Sequence, residues 1–175
     1  MSFLDSKKLA TTANSAELTS EAELAVSTAS TAETFTPLDG YSRYLTFRDD
    51  KYSTVDNNKN ISMDSSQINI TQESNSQYIP FEIPRYYDGV DLSTKTICIR
   101  YADKLGGTGS ESPVINAEVS ANHIRFGWLI NDQLTRKAGD YIFEIRATGK
   151  VGSLTYAWSS RPNGRINVLQ GIDSG

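Results

Sequence analysis

Ile79-Pro80-Phe81-Glu82-Ile83-Pro84-Arg85-Tyr86-Tyr87-Asp88-Gly89-Val90-Asp91-Leu92 joins an apolar-alternating strand to a proline-bounded, aromatic turn. That combination points to a module class rather than to an active site. Side chains of a strand alternate between faces, so Ile79, Phe81 and Ile83 share one side. Pro80 and Pro84 lack an amide hydrogen, which predicts an edge position for this strand rather than a central one.

Outward from this stretch, the reading from Tyr41 onward is strand after strand. Residues 43–48, 67–71, 78–83, 96–101, 114–119, 123–130, 141–148, 153–158 and 165–169 all read as extended. Alternation is clearest in Ile124, Phe126, Trp128 and Ile130, and in Tyr141, Phe143, Ile145 and Ala147, which mark two central strands. Trp128 and Trp158 are expected in the core, the latter alternating with Tyr156 and Leu154. Turn chemistry separates the strands at Asp39-Gly40, Asp88-Gly89, Gly106-Gly107, Asn131-Asp132, Gly139-Asp140, Gly149-Lys150 and Asn163-Gly164, residue types that tolerate positive φ. No helix of ordinary length fits after Tyr41, and no internal repeat is present. About eight or nine short strands at roughly 10-residue spacing predict an all-β, immunoglobulin-like β-sandwich over residues 39–175.

Residues 1–38 differ. Ser, Thr, Ala and Glu dominate them, with too few apolar residues to close a core, so they read as an extended, partly helical N-terminal arm. Ser20-Glu21-Ala22-Glu23 resembles a capping box, and a short helix over about 20–30 follows from it. Phe3, Leu4, Leu9, Leu18, Leu24 and Phe35 are the arm's apolar anchors, with Phe35 and Leu38 alternatively packing on the sandwich edge. Fully extended, 36 residues reach on the order of 120 Å, enough to cross onto a neighbouring subunit.

Composition narrows the functions. A net charge of -4 without a Lys/Arg cluster argues against nucleic acid as a partner. The single cysteine, Cys98, leaves no internal disulfide and fits assembly in a reducing cytoplasm. No apolar run is long enough for a membrane span or a signal peptide, so a soluble chain with no membrane partner is expected.

Four segments carry a family resemblance: Pro84-Arg85-Tyr86-Tyr87-Asp88-Gly89-Val90-Asp91-Leu92, His123-Ile124-Arg125-Phe126-Gly127-Trp128-Leu129-Ile130, Ala138-Gly139-Asp140-Tyr141-Ile142-Phe143-Glu144-Ile145-Arg146, and Tyr156-Ala157-Trp158-Ser159-Ser160-Arg161-Pro162-Asn163-Gly164. In this order they resemble the N-terminal domain of baseplate upper proteins from tailed phages of Gram-positive bacteria. The resemblance is strong over roughly residues 75–172, weak over 41–74, and does not extend to the first 40. It implies a β-sandwich that docks on a larger virion assembly built in the host bacterial cytoplasm. In that family a receptor-binding or trimer-forming region follows the domain. Here the sequence ends with it, so the expectation is an accessory or decoration protein of the capsid or neck. A tail baseplate or tail-fibre adaptor is the alternative. Expected partners are other phage structural proteins, with self-association also open.

Catalytic and metal chemistry finds little support in the residues. His123, the single histidine, directly precedes Ile124 on a strand and reads as a surface or hydrogen-bonded residue, and any Ser-His-Asp triad would depend on it alone. Asp56-Asn57-Asn58-Lys59-Asn60 begins like a calcium loop, but Ile61 stands where glycine is needed and Gln67 where a bidentate glutamate is needed. Gly106-Gly107-Thr108-Gly109-Ser110 lacks the Lys-Ser/Thr and helix start of a phosphate loop. No enzyme activity, no cofactor and no metal are therefore expected. Tyr86 and Tyr87, between prolines and Asp88-Gly89, should leave at least one ring partly exposed. With Arg85 and Asp88 they form the candidate interface turn, and Arg85 and Arg161 are expected to bond carboxylates or carbonyls of nearby loops. A sugar platform on these rings, with a host surface glycan as partner, makes a carbohydrate-binding adhesin module the second alternative.

Overall fold

The computed structural model describes residues 33–45, 47, 51–107 and 109–171. Phe3, Leu4, Leu9, Leu18, Leu24 and the 20–30 helix lie outside the described residues. In chain order the strands are β1 (Thr36–Pro37), β2 (Ser53–Val55), β3 (Ile61–Ser62), β4 (Asn69–Ile70), β5 (Gln77–Pro84), β6 (Tyr86–Tyr87), β7 (Val90–Asp91), β8 (Thr96–Asp103), β9 (Ser110–Pro113), β10 (Ile115–Val119), β11 (His123–Ile130), β12 (Gly139–Val151), β13 (Leu154–Ser159) and β14 (Gly164–Val168). One helical turn, α1 (Asp132–Thr135), is the α-helix among the described residues. The chain is all-β.

Two six-stranded sheets form. One has the order β1-β10-β11-β5-β2-β3, the other β4-β14-β12-β8-β9 with β13 added to β12. The two strands with the cleanest alternation take the middle of their sheets. β11 pairs with β5 through eight consecutive residue pairs, from His123↔Pro84 to Ile130↔Gln77. The 13-residue β12 pairs with β8 along one side and, on the other, with β14 through its first half and β13 through its second. Their inner faces share one core. Phe81 lies 5.8 Å from Phe143 across the sheets, Trp128 lies 5.1 Å from Phe143, and Tyr101 5.7 Å from Trp128, as ring centroids. Trp128 and Trp158 are both buried in it.

Several sequence expectations need correction. β5 is not an edge strand, since β2 pairs with it in parallel on the side away from β11. Prolines four residues apart face the same neighbour, so only one ladder loses donors. The ladder to β11 is continuous, whereas the one to β2 is confined to Ser53↔Phe81 and Thr54↔Glu82, between the two prolines.

Residues 43–45 are not a strand either. The Asn116 side chain takes both backbone groups of Tyr44, accepting from its N–H and donating to its C=O at 2.8 Å, and the Asn116 N–H donates to Ser42 at 2.8 Å. Those groups are thus satisfied by a side chain instead of a ladder. Asn131-Asp132 is a helix start, not a positive-φ turn, with Asn131 Oδ1 accepting from Gln133 and Leu134. Gly149-Lys150 continues β12, and the chain turns at Gly152, φ 61°. Consequently the β12–β13 hairpin overruns the sheet, and Leu154, expected to alternate inward with Trp158, is 71% exposed. β9 was missed because Ser-Glu-Ser-Pro carries no apolar alternation.

The N-terminal boundary is built by β1, which pairs with β10, by the Leu38 N–H donating to Ala117 at 2.9 Å, and by the Tyr41 hydroxyl, which accepts from the Ile97 N–H at 3.0 Å. Leu38 and Tyr41 pack against the core. A chain beginning at Phe35 is therefore expected to fold. One beginning at Arg43 loses the Leu38 and Tyr41 packing and should be destabilised by about 2–4 kcal/mol, read as a fall in the urea midpoint by circular dichroism. Equal midpoints for the two chains would contradict this boundary.

Candidate docking surfaces

At one end of the domain, β6 and β7 form a small hairpin. Asp88 (φ 49°) and Gly89 (φ 80°) occupy its two central positions, both left-handed, as a two-residue hairpin loop requires. Behind the turn, Arg85 donates through Nε and Nη2 to the two carboxylate oxygens of Asp91 at 3.0 and 2.9 Å. The same guanidinium donates to Ser120 O at 2.9 Å, and the Arg85 N–H to Asn122 O at 2.9 Å. Asp91 further accepts from the Ser93 N–H and hydroxyl. The Arg85 bonds first, and the Ser93 bonds after them, hold its carboxyl at about 2, well below the ordinary 3.8. Arg85 is thus a strut that ties the hairpin to the turn before β11.

The two tyrosines split. Tyr87 is buried, with its ring 4.7 Å from Trp158 and its hydroxyl donating to Asp56 O at 2.6 Å; burial pushes that hydroxyl up to about 12. Tyr86 is 49% exposed and Asp88 is exposed beside it. The neighbouring β12–β13 hairpin adds exposed Val151 and Leu154 near its tip. It is held by Lys95, which donates to Lys150 O at 2.8 Å and lies over the Tyr156 ring.

The 56–60 segment is a turn built on its own side chain. Asp56 Oδ1 accepts from the Asn60 and Asn58 N–H groups at 2.9 and 2.8 Å, and these bonds, that to Asn60 foremost, lower its pKa. Arg161 anchors there through its N–H to Lys59 O and its Nε to Asn58 O, and the Asn163 amide bonds Ile61 in both directions. The loops 56–60, 85–91 and 161–163 are thereby knitted into one pole. His123 is half-buried at the start of β11, its backbone paired with Ser120. Cys98 is half-buried on the outward side of β8, with its thiol pushed up by burial. No cluster of three His, Cys, Asp or Glu suited to a metal occurs among the described residues.

A second surface, which sequence reading missed, lies on the outer face of the first sheet. It is a pocket of about 290 Å³ lined on one side by Arg43, Tyr44, Leu45 and Phe47. Tyr44, Phe47 and Tyr78 form a chain of rings with centroids 5.7 and 5.2 Å apart. The Cδ2–Cε2 edge of the Tyr78 ring lies against Gly127, where a Cβ would stand 2.5 Å from it. Next to it, Arg125 donates to Glu82 at 2.8 Å and is sandwiched between Phe35, 4.0 Å from the ring centroid, and Tyr52, 4.6 Å. Phe35, expected as an arm anchor or an edge-packing residue, sits here. The one legible signal was Gly127, a missing side chain at an outward position of an otherwise bulky strand.

The Arg85 strut has a pH signature. A folded-state carboxyl pKa below its unfolded value contributes stability that is complete above about 3.8 and is lost as pH falls through about 2. Arg85→Ala should cost about 1–2 kcal/mol at pH 7, and its deficit relative to the unaltered chain should shrink between pH 4 and 2. Urea unfolding across that range tests it; a deficit independent of pH would show that the pair does not hold the hairpin.

No described protein family, no curated protein and no solved structure matches this chain.

Proposed function

We propose that this protein is a non-catalytic structural component of a phage particle, docking on a larger assembly through its N-terminal arm and the pole around Tyr86. The observation that carries the reading is the Tyr86–Asp91 hairpin. A strut of three side-chain hydrogen bonds, two to Asp91 and one to Ser120, braces it while Tyr86 remains exposed beside a second hairpin bearing Val151 and Leu154. A braced projection with an exposed aromatic suits protein contact, because little ordering entropy is lost when it binds.

Support for the phage setting comes from the four resembling segments. They supply β11, most of β12, much of β13 and the hairpin itself, and the His123↔Pro84 pairing and the Tyr87–Trp158 contact join three of them. The two-sheet fold is read here as an immunoglobulin-like sandwich. An accessory or decoration protein of the capsid or neck is the preferred place. The resembled domain itself favours a tail baseplate or fibre adaptor as the second reading. A sugar platform on the Tyr86–Tyr87 turn loses support, since Tyr87 packs inward on Trp158 and one ring remains.

Particles assembled with variant chains test the proposal. Deleting residues 1–34 should leave a soluble domain with at least about tenfold lower occupancy on particles. Tyr86→Asp combined with Leu154→Asp should weaken attachment by about 30-fold, the loss expected for one interface hot spot. His123→Ala with Cys98→Ala should leave occupancy and infectivity unchanged. Full occupancy after both the deletion and the pole substitutions would refute docking by these surfaces, and a catalytic activity lost in the folded His123/Cys98 variant would refute the non-catalytic reading.

A further inference from the structure

We propose that the pocket on the outer face of the first sheet binds one ring of a neutral saccharide, at a site separate from the Tyr86 pole. Its construction is more specific than a surface dent. β10 is irregular between Ile115 and Glu118, and Asn116 there adopts φ 54°. This places its amide where it clamps Tyr44, while Arg43 donates to Ala117 O at 3.1 Å. An irregularity of this kind re-aims side chains and recurs beside binding sites. Gly127 supplies the second device, since any side chain there would displace Tyr78.

The chemistry that results is amphipathic. Tyr44, Phe47 and Tyr78 present ring surface, against which the C–H face of a pyranose can pack. Glu118, Arg125 and Glu82 lie abreast on β10, β11 and β5 by strand register, offering planar donors and acceptors for ring hydroxyls. Arg125 is one third exposed even with its bond to Glu82. Charge selects against phosphate, because the two cations here, Arg43 and Arg125, are matched by the carboxylates Glu82 and Glu118. A volume of about 290 Å³ sits at the small end of ligand pockets and suits a single ring rather than an extended peptide.

The test is amide-resolved NMR of the full-length, isotope-labelled chain titrated separately with glucose, galactose, N-acetylglucosamine and chitotriose. At least one should shift the amides of Tyr44, Asn116 and Gly127 with a Kd of about 1–10 mM. Tyr44→Ala should weaken that binding at least tenfold and Gly127→Ala should abolish it, both with well-dispersed spectra. Leu105→Ser, on a distant exposed loop, should leave it unchanged. The proposal is overturned if none of the four sugars shifts these amides at about 50 mM, if the shifts map elsewhere, or if folded Tyr44→Ala binds as well as the unaltered chain. Tighter binding of inorganic phosphate than of any sugar at the same amides would also overturn it.

Discussion

Phe143 is the contact on which the rest of the domain depends. It projects from the middle of β12, is 1% exposed, and meets Phe81 and Trp128 of the opposite sheet. Beneath it lies Gly164, where a Cβ would come within 2.5 Å of the ring. The aromatic stack thus sets which residue begins β14 as well as how closely the two sheets approach. Interiors are packed to crystal-like density, so an aromatic in that position leaves little freedom to its neighbours. Phe81 in turn stacks on Phe126, 5.6 Å away, which carries the constraint along the first sheet.

Because the core occupies the inner faces, the two ends and the outer faces are where chemistry differs. At the pole, polar contacts rather than apolar burial give the loops their shape. Arg85 at the Ser120 carbonyl, Asp91 at the Ser93 N–H, the Asp56 turn and the Asn163 amide each replace a missing backbone partner. A buried or half-buried loop must account for every backbone donor and acceptor, and short side chains with fixed geometry do so at little entropic cost. The hairpin between them is therefore braced from behind and open in front, with Tyr87 turned in and Tyr86 turned out.

The outer face of the first sheet follows another logic. There Gly127 removes a side chain, Asn116 breaks the regular ladder, and an irregular segment closes over the gap. Charged side chains that would otherwise stand in water are pressed between rings, as Arg125 is between Phe35 and Tyr52. The guanidinium keeps its stacking and its bond to Glu82 together because its plane presents faces to the rings and an edge to the carboxylate.

What the sequence by itself determined is local and periodic. The alternation of Ile124, Phe126, Trp128 and Ile130, and of Tyr141, Phe143, Ile145 and Ala147, identified the inward faces and the central strands. Asp88-Gly89 marked a true hairpin turn. Strand alternation is a property of neighbouring residues, which is why it survives without knowledge of partners. Tertiary structure alone decided which strands lie beside each other, and so placed β5 inside a sheet despite its prolines. It also decided that residues 43–45 leave the strand pattern, since the amide that captures Tyr44 belongs to Asn116, 72 positions later. The pocket and the split between Tyr86 and Tyr87 depend on such distant contacts. A side chain's orientation is settled by what packs against it, and that information lies outside any local window of sequence.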